Sequence, residues 1–227
     1  MTGDTTEENM SGGTVAQAFA PIEDALRRIR RGEMVLVTDD EERENEGDLT
    51  MAAGWVTPDA INFMLRWARG LVCMPCDATR LDELEIGPMV PPERATCDTA
   101  FAVSIDHRSV GSGISAHDRA ETIRRVLDPL TEAGDFHRPG HVFPLRARPG
   151  GVLERRGHTE ASVDLARLAG LPPVAVICEV LHDDGSPARR PYLELFAEEH
   201  RVTMISVEQV VAYRERVEDT APAPLLL

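Results

Sequence analysis

The sequence predicts an α+β fold with three α/β/α layers, in which helices on both faces cover a mixed, largely buried β-sheet. Short apolar runs, such as residues 174–178, alternate along the chain with amphipathic segments of helical spacing. The chain has 227 residues and is 42% hydrophobic, which is enough for a sizeable core. Only 4% of the residues are aromatic, so aliphatic side chains must build that core.

We expect a single domain over residues 18–216. Residues 1–17 are polar and rich in Gly and Thr, a composition typical of disorder, and residues 217–227 resemble a flexible tail. No internal repeat and no linker divides the segment between them.

The net charge of -15 argues against nucleic acid and anionic membranes as partners, since both require basic surfaces. It does not exclude an anionic small molecule, because local arginines can hold one. No apolar run reaches the length of a membrane span, and the N-terminus lacks the features of a signal peptide. These observations predict a cytoplasmic protein.

The predicted helices of the first half have start and stop signals. Pro21 and Gly32 bound the first helix, and Thr57 and Gly70 bound the second. A weaker helix is predicted at residues 79–84. The predicted strands of this half are residues 34–37, 71–74 and 101–105.

The second half continues the alternation. Ser115 and Asp118 resemble a capping box that opens a helix through Leu127, and Gly170 ends a helix that begins near His158. The remaining predicted elements are a strand at 174–178, a turn at 184–185, a helix at 193–200, a strand at 202–205 and a final helix capped by Ser206 and Gln209.

Residues 38–49, TDDEERENEGDL, are the most informative stretch. Seven of the ten residues from Asp39 to Asp48 are carboxylates, so a metal ion, Arg43 or a bound substrate must offset their repulsion. Glu44, Glu46 and Asp48 alternate, which puts them on one side of an extended chain. The stretch follows a predicted strand, where open α/β sheets place their chemistry. The EF-hand pattern fails in either register, and a solvated acidic loop is the alternative.

His158 begins a predicted helix and has polar and basic neighbours. The three residues directly before it are Arg155, Arg156 and Gly157, and Thr159 follows it. Two guanidinium groups beside a helix N-terminus predict a phosphate site, with histidine as a metal ligand or an acid/base. A satisfied surface or core histidine is the alternative.

Three further residues are candidates for chemistry. Glu179 directly follows an apolar strand, and a buried carboxylate with a raised pKa suits a general acid or base, although a strand-end glutamate can also reach solvent. His141 lies in a predicted loop, where a surface role is the alternative. Ser112, between Gly111 and Gly113, precedes a helix in the manner of a phosphate loop, but a plain turn with an N-cap is favoured.

The four cysteines predict packing. Cys73 and Cys76 form a C-x-x-C pair, but a structural zinc site would need a second pair, and Cys97 and Cys178 stand singly. Cys73, at a strand end, is positioned to face a pocket. The residues alone therefore indicate a metal-assisted enzyme acting on a small phosphorylated substrate, with a non-catalytic metal- or phosphosugar-binding domain as the alternative.

Four motifs together resemble the 3,4-dihydroxy-2-butanone 4-phosphate synthase family of riboflavin biosynthesis. They are DDEERENEGDL, RPGHVFPLRA, GHTEASVDLARLAG and the apolar strand that ends in Glu179, and the resemblance covers residues 18–216. It implies conversion of D-ribulose 5-phosphate to L-3,4-dihydroxy-2-butanone 4-phosphate and formate by enolisation, dehydration, skeletal rearrangement and loss of C4. It also implies the monofunctional form, without a fused GTP cyclohydrolase II domain.

The resemblance assigns roles to individual residues. It implies a magnesium or manganese site, with two ions per active site, and Glu44 and His158 as metal ligands. His141, Glu179 and Asp48 take the catalytic roles. The implied substrate-binding residues are Arg43, Glu44, Asp48, Ser112, Arg155, Arg156, Gly157, His158, Thr159 and Glu179. Family likeness also implies a homodimer with interfacial active sites, in which the partner chain supplies His141.

Two departures concern loop closure over the substrate. Residues 94–101, RATCDTAF, are shorter and less Gly-rich than the loop of many relatives, and His117 stands where a small residue is common. Another divalent-metal-dependent phosphosugar isomerase or lyase, or a non-catalytic phosphosugar-binding member, is the alternative within the same fold.

Overall fold

A single mixed sheet organises the chain. The computed structural model describes residues 19–220, so the segment predicted to be disordered, 1–17, lies outside the described residues. The seven strands of the described range are β1 Val35–Thr38, β2 Gly47–Ala52, β3 Cys73–Cys76, β4 Ile105–His107, β5 Phe136–Arg146, β6 Ala175–Glu179 and β7 Thr203–Ser206. Their order across the sheet is β4-β5-β3-β6-β2-β1-β7, with β1–β7 and β3–β5 parallel and the other pairs antiparallel.

Helices cover both faces, as predicted. They are α1 Ile22–Arg30, α2 Pro58–Phe63, α3 Ala78–Glu83, α4 Ala116–Leu127, α5 His158–Leu168, α6 Arg190–His200 and α7 Val207–Thr220. Alternate residues of β1 point to opposite faces of the sheet. Leu36 packs in the core with α2, α4 and α6, whereas Val35 and Val37 pack with α1, α5 and α7. Within residues 19–220, no helix combines the length and apolar character needed to cross a membrane.

One part of the α5 face is left open. The helix α5 packs on β2, β3 and β6. Beyond it, Cys73, Leu145 and Ile177 form a small separate cluster against which Phe101 and Phe143 pack only half-buried. This end of the sheet is therefore accessible from the α5 side.

Several boundaries differ from the sequence prediction. The second helix continues from α2 into a π-helical turn, Met64–Ala68, and Arg69 rather than Gly70 takes the left-handed conformation that ends it. The strand predicted at 71–74 lies two residues later, because the N–H groups of Gly70 and Leu71 bind Glu179. Of the strand predicted at 101–105, only residue 105 belongs to β4. The last helix runs to residue 220 and so extends into the predicted tail. Residues 221–227 of that tail lie outside the described range.

The predicted loop around His141 was wrong, since this residue lies inside the long strand β5. In a sequence, Pro139 and Gly140 indicate a loop. Here they lie in β5 where β4 approaches its backbone closely. An added Cβ at Gly140 would lie 2.0 Å from the carbonyl carbon of Ile105, so only glycine permits this approach. A register shift between Ile105 and Asp106 accompanies it.

Candidate active site

A cavity of about 210 Å³ opens where the N-terminus of α5 meets the turn after β1 and the adjacent ends of β2, β3 and β6. It is lined by Arg43, Glu44, Glu46, Asp48, Cys73, Thr99, Phe101, Leu145, Arg155, His158, Thr159, Ile177 and Glu179. The structure thus brings together most of the site residues predicted from the sequence.

Strand register places the carboxylates. β2 and β6 are antiparallel and pair Asp48 directly with Glu179. Glu44 and Glu46 lie in the turn that enters β2, and both line the same cavity as Asp48, as their alternation predicted. Three acids of one short stretch and the distant Glu179 therefore face one small volume.

Asp39 organises the acidic turn. Its carboxylate, which is fully buried, accepts hydrogen bonds from the backbone N–H groups of Glu44 (3.0 Å) and Glu46 (2.8 Å) and pairs with Arg43 at 2.8 Å. Arg43 also binds Glu44 at 2.7 Å. Sequence reasoning did not single out Asp39, because nothing local separates it from the other carboxylates of the run.

The donor set fits a divalent cation. Ligand atoms of Asp39, Glu44 and His158 lie within 4.8 Å of one another, and His158 Nδ1 is 3.5 Å from Glu44 Oε2. Within the described residues, the buried atoms His158 Nε2 and Asp48 Oδ1 have no hydrogen-bond partner. Such orphaned polar atoms are costly unless a ligand satisfies them. Asp39 also holds the backbone of the turn, and the family resemblance implies Glu44 and His158 as the two residues of this group that would hold the ion.

The electrostatics favour one positive charge at His158. Burial alone would lower the pKa of His158, but Asp48, Glu44 and Asp39 outweigh burial and raise that pKa to about 9. The hydrogen bond from His158 lowers the pKa of Glu44 to about 2. Burial raises the pKa of Asp48 well above its usual range, and the charges of Glu179 and Glu46 add to this effect while His158 opposes it. A proton or a metal ion can supply the charge.

The N-terminus of α5 beside the cavity is suited to an anion. Gly157 is the N-cap of α5 and offers no side chain to the first N–H groups of the helix. Arg155 and Thr159 line the cavity beside this N-terminus. Glu160, which is buried, holds the Arg155 guanidinium at 2.6 Å. Unsatisfied N–H groups next to an arginine form a phosphate-binding arrangement.

Arg156 lies away from this cavity. Its guanidinium binds Glu208 at 2.8 Å and borders a different cavity of about 490 Å³ on the far side of the acidic turn. The structure therefore separates the two arginines that the sequence places side by side.

Glu179 is fixed by the backbone opposite it. Its Oε2 accepts a 2.8 Å hydrogen bond from the N–H of Leu71, and no described residue donates to Oε1. An added Cβ at Gly70 would lie 2.4 Å from the carbonyl oxygen of Glu179, so glycine is required there. Sequence reasoning treated Gly70 only as a helix stop.

His141 lies outside the cavity of its own chain. The pairing of Cys73 with both Phe143 and Ile177 puts His141 level with Glu179, two strands and roughly 10 Å away. Its ring Nδ1 lies 2.7 Å from Asp106 Oδ2, and its backbone N–H donates to Asp106 Oδ1 at 2.9 Å. Because a carboxylate only accepts, His141 Nδ1 is the donor in this hydrogen bond.

Ser112 lies near His141 and does not line the cavity. It is exposed in the loop before α4, next to Gly113. An added Cβ at Gly113 would lie 2.6 Å from His141 Nδ1. Ser115 caps α4 by accepting the N–H of Asp118 at 3.0 Å, which is the turn and N-cap that the sequence favoured.

The four cysteines are free thiols, and the packing predicted for all of them was wrong for Cys97, which is exposed. Cys73 forms part of the cavity wall, as anticipated, and Cys76 and Cys178 are buried. Burial raises the pKa of all three thiols, so each is a neutral packing group at ordinary pH.

Comparison with known proteins agrees with this geometry. Residues 23–213 match the family 3,4-dihydroxy-2-butanone 4-phosphate synthase. The riboflavin biosynthesis protein RibBA of Aquifex aeolicus is 54% identical over 203 residues, which are 88% of this chain and 50% of that protein. The chain thus spans about half the length of the curated relatives it matches.

Solved structures give the same result. A 3,4-dihydroxy-2-butanone 4-phosphate synthase crystallised in complex with two magnesium ions is 40% identical with a TM-score of 0.83, and the match covers 89% of this chain and 100% of that one. The Candida albicans synthase is 44% identical with a TM-score of 0.80, over 87% and 99% of the two chains. This chain belongs to the 3,4-dihydroxy-2-butanone 4-phosphate synthase family.

Proposed function

We propose that the chain converts D-ribulose 5-phosphate into L-3,4-dihydroxy-2-butanone 4-phosphate and formate, in the cytoplasm, as a step of riboflavin biosynthesis. One observation carries the proposal. A single cavity is lined by a carboxylate–imidazole pair, by Arg155 and Thr159 at the N-terminus of α5, and by the paired acids Asp48 and Glu179. A phosphosugar needs the same three kinds of group, for its reacting oxygens, its phosphate and its proton transfers.

Magnesium is the cofactor we propose, held by Glu44 and His158. The relative crystallised with two magnesium ions supports this choice and a count of two per site. Manganese is the second candidate, because imidazole and carboxylate together suit it. When bound, the ion polarises neighbouring sugar oxygens and stabilises the negative charge of an enediolate.

The residues of the chain supply binding and proton transfer. Arg155 and Thr159 hold the phosphate at the N-terminus of α5. Glu179 Oε1, which has no donor among the described residues, takes the proton from the carbon next to the carbonyl. Asp48, whose pKa burial raises, carries a proton that assists loss of the C1 hydroxyl. Rearrangement of the carbon skeleton follows, and C4 leaves as formate after attack by water.

We also propose a homodimer in which each cavity receives His141 from the partner chain. Two observations support it. Ser112 and His141 lie together outside the cavity of their own chain, and the α5 face is open at Phe101 and Phe143. Ile114, on the same loop as Ser112, exposes 54% of its surface. A second copy that covers the open face would bring these groups to the site.

The variant Glu179→Gln tests the catalytic assignment. Glutamine keeps an oxygen for the Leu71 N–H but cannot accept a proton. We expect binding of D-ribulose 5-phosphate within about two-fold of wild type and at least a roughly 100-fold loss of formate release. Glu199→Gln, at an exposed position of α6, is the matched control. Wild-type turnover by Glu179→Gln would show that Glu179 does not carry the proton.

A further inference from the structure

The Arg155 guanidinium is already neutralised in the free chain. Its Nε lies 2.5 Å from Asp98 Oδ2, its Nη1 lies 2.6 Å from Glu160 Oε2, and its Nη2 donates to Thr99 Oγ1 at 3.1 Å. Only 10% of the Arg155 side chain is exposed. Two carboxylates on one guanidinium offset its positive charge where a phosphate must approach.

The two acids differ in how firmly they are held. The Glu160 side chain is 2% exposed, lies in the first turn of α5 and also accepts the N–H of Arg148 at 3.1 Å. The Asp98 side chain is 71% exposed, lies on a segment outside the helices and strands, and is 3.8 Å from the Arg148 guanidinium. Exposed ion pairs are weak, so Asp98 is the partner that a ligand can displace.

We propose that Asp98 is a built-in competitor for the substrate phosphate. Its carboxylate occupies Arg155 Nε in the free chain, and an incoming phosphate group takes over that donor. The inference rests on the proposed function, because it requires the N-terminus of α5 to be the phosphate end of the site. A phosphate also accepts from the free N–H groups of α5, which Asp98 does not contact, and this difference drives the exchange.

Asp98 affects the selectivity between inorganic phosphate and the sugar phosphate as well as the affinity for each. Inorganic phosphate must displace Asp98 without gaining the contacts that the sugar oxygens make with the other cavity-lining residues. The complete sugar phosphate gains both sets of contacts. Asp98 therefore weakens binding of bare phosphate to a level that the substrate still overcomes.

The test is Asp98→Asn in the full chain. Inorganic phosphate is titrated into the metal-free protein by calorimetry, and steady-state formate release is measured with Mg²⁺. We expect roughly five-fold tighter phosphate binding, the upper range for an exposed ion pair, and a comparably lower KM with kcat within about two-fold. Asp82→Asn is the matched control, since Asp82 is 69% exposed and pairs with Arg146 at 2.6 Å away from the phosphate end.

Phosphate binding by Asp98→Asn that is unchanged, or weaker than that of wild type and Asp82→Asn, would overturn the inference. The weaker result would assign Asp98 to holding Arg155 in place. The titration needs no turnover, so it decides the role of Asp98 even if neither protein releases formate. Absence of formate from both would instead contradict the proposed function.

Discussion

β4 passes so close to the backbone of Gly140 in β5 that the distances between them predict what a side chain at this position would do. An added Cβ at this residue would lie 2.0 Å from the carbonyl carbon of Ile105, 2.3 Å from the nitrogen of Asp106 and 2.4 Å from the oxygen of Ile105. All three are backbone atoms, so no change of rotamer relieves the clash. In Gly140→Ala, β4 and β5 must move apart locally.

The size of the effect follows from normal contact distances. Non-bonded carbon atoms sit about 3.5 Å apart at closest favourable separation, so β4 must shift by roughly 1.5 Å. That shift breaks the bonds from Gly140 N to Ser104 Oγ (3.2 Å) and from His141 N to Asp106 (2.9 Å). Overpacking costs about 1–3 kcal/mol and each of the two lost hydrogen bonds about 1 kcal/mol, so the total is at least about 3 kcal/mol.

The displacement of β4 should lower both the melting temperature and the rate of formate release. A loss of about 3 kcal/mol lowers the melting temperature by roughly 6–12 °C in a chain of this size. Displacement of the His141 ring by an ångström lowers formate release roughly 100-fold. The control is Gly134→Ala, in the turn before β5, where an added Cβ meets nothing within 4 Å. If Gly140→Ala melts and turns over like Gly134→Ala, the reasoning about β4 is refuted.

Two predictions concern the metal and the dimer. Because the pKa of His158 is about 9, against an ordinary 6.5, a proton occupies this residue in the metal-free protein at neutral pH. Magnesium must displace that proton, so calorimetry should show affinity rising by up to about ten-fold per pH unit between pH 6.5 and 9 and levelling above; an affinity that is flat over this range contradicts the assignment. Inactive His141→Ala and Glu179→Gln proteins, mixed and allowed to exchange subunits, should regain roughly one quarter of wild-type formate release, because half of the dimers are mixed and each has one intact site. No recovery in a mixture shown to contain mixed dimers would place His141 and Glu179 of one chain in one site.

Sequence patterns predicted the residues whose positions are set locally. An apolar strand ends at Glu179, a helix begins at His158 after a glycine, and an acidic run follows β1, and each of these signals lies within a few residues. Glu44, Glu46 and Asp48 do line one cavity, but only Asp48 lies in β2, and the turn before the strand positions the other two. Local periodicity carries this information without any knowledge of the fold.

The remaining features depend on pairing between distant segments. Asp39 differs from its acidic neighbours only in being buried against the turn, and Asp106 matters only because β4 pairs with β5. Gly70 and Gly140 look like stops and loops, yet each allows a backbone from elsewhere to approach. Strand β5 passes through Pro139 because its partner strand, not local propensity, decides its conformation.

The most direct test of the proposed function is formate release from D-ribulose 5-phosphate, measured with Mg²⁺ and again with EDTA. We expect one formate per substrate consumed, and none when EDTA removes the metal from Glu44 and His158. Isomerisation produces no formate, and a protein that only binds the sugar consumes no substrate. Well-folded, magnesium-loaded protein that binds D-ribulose 5-phosphate but releases no formate would contradict the proposed function.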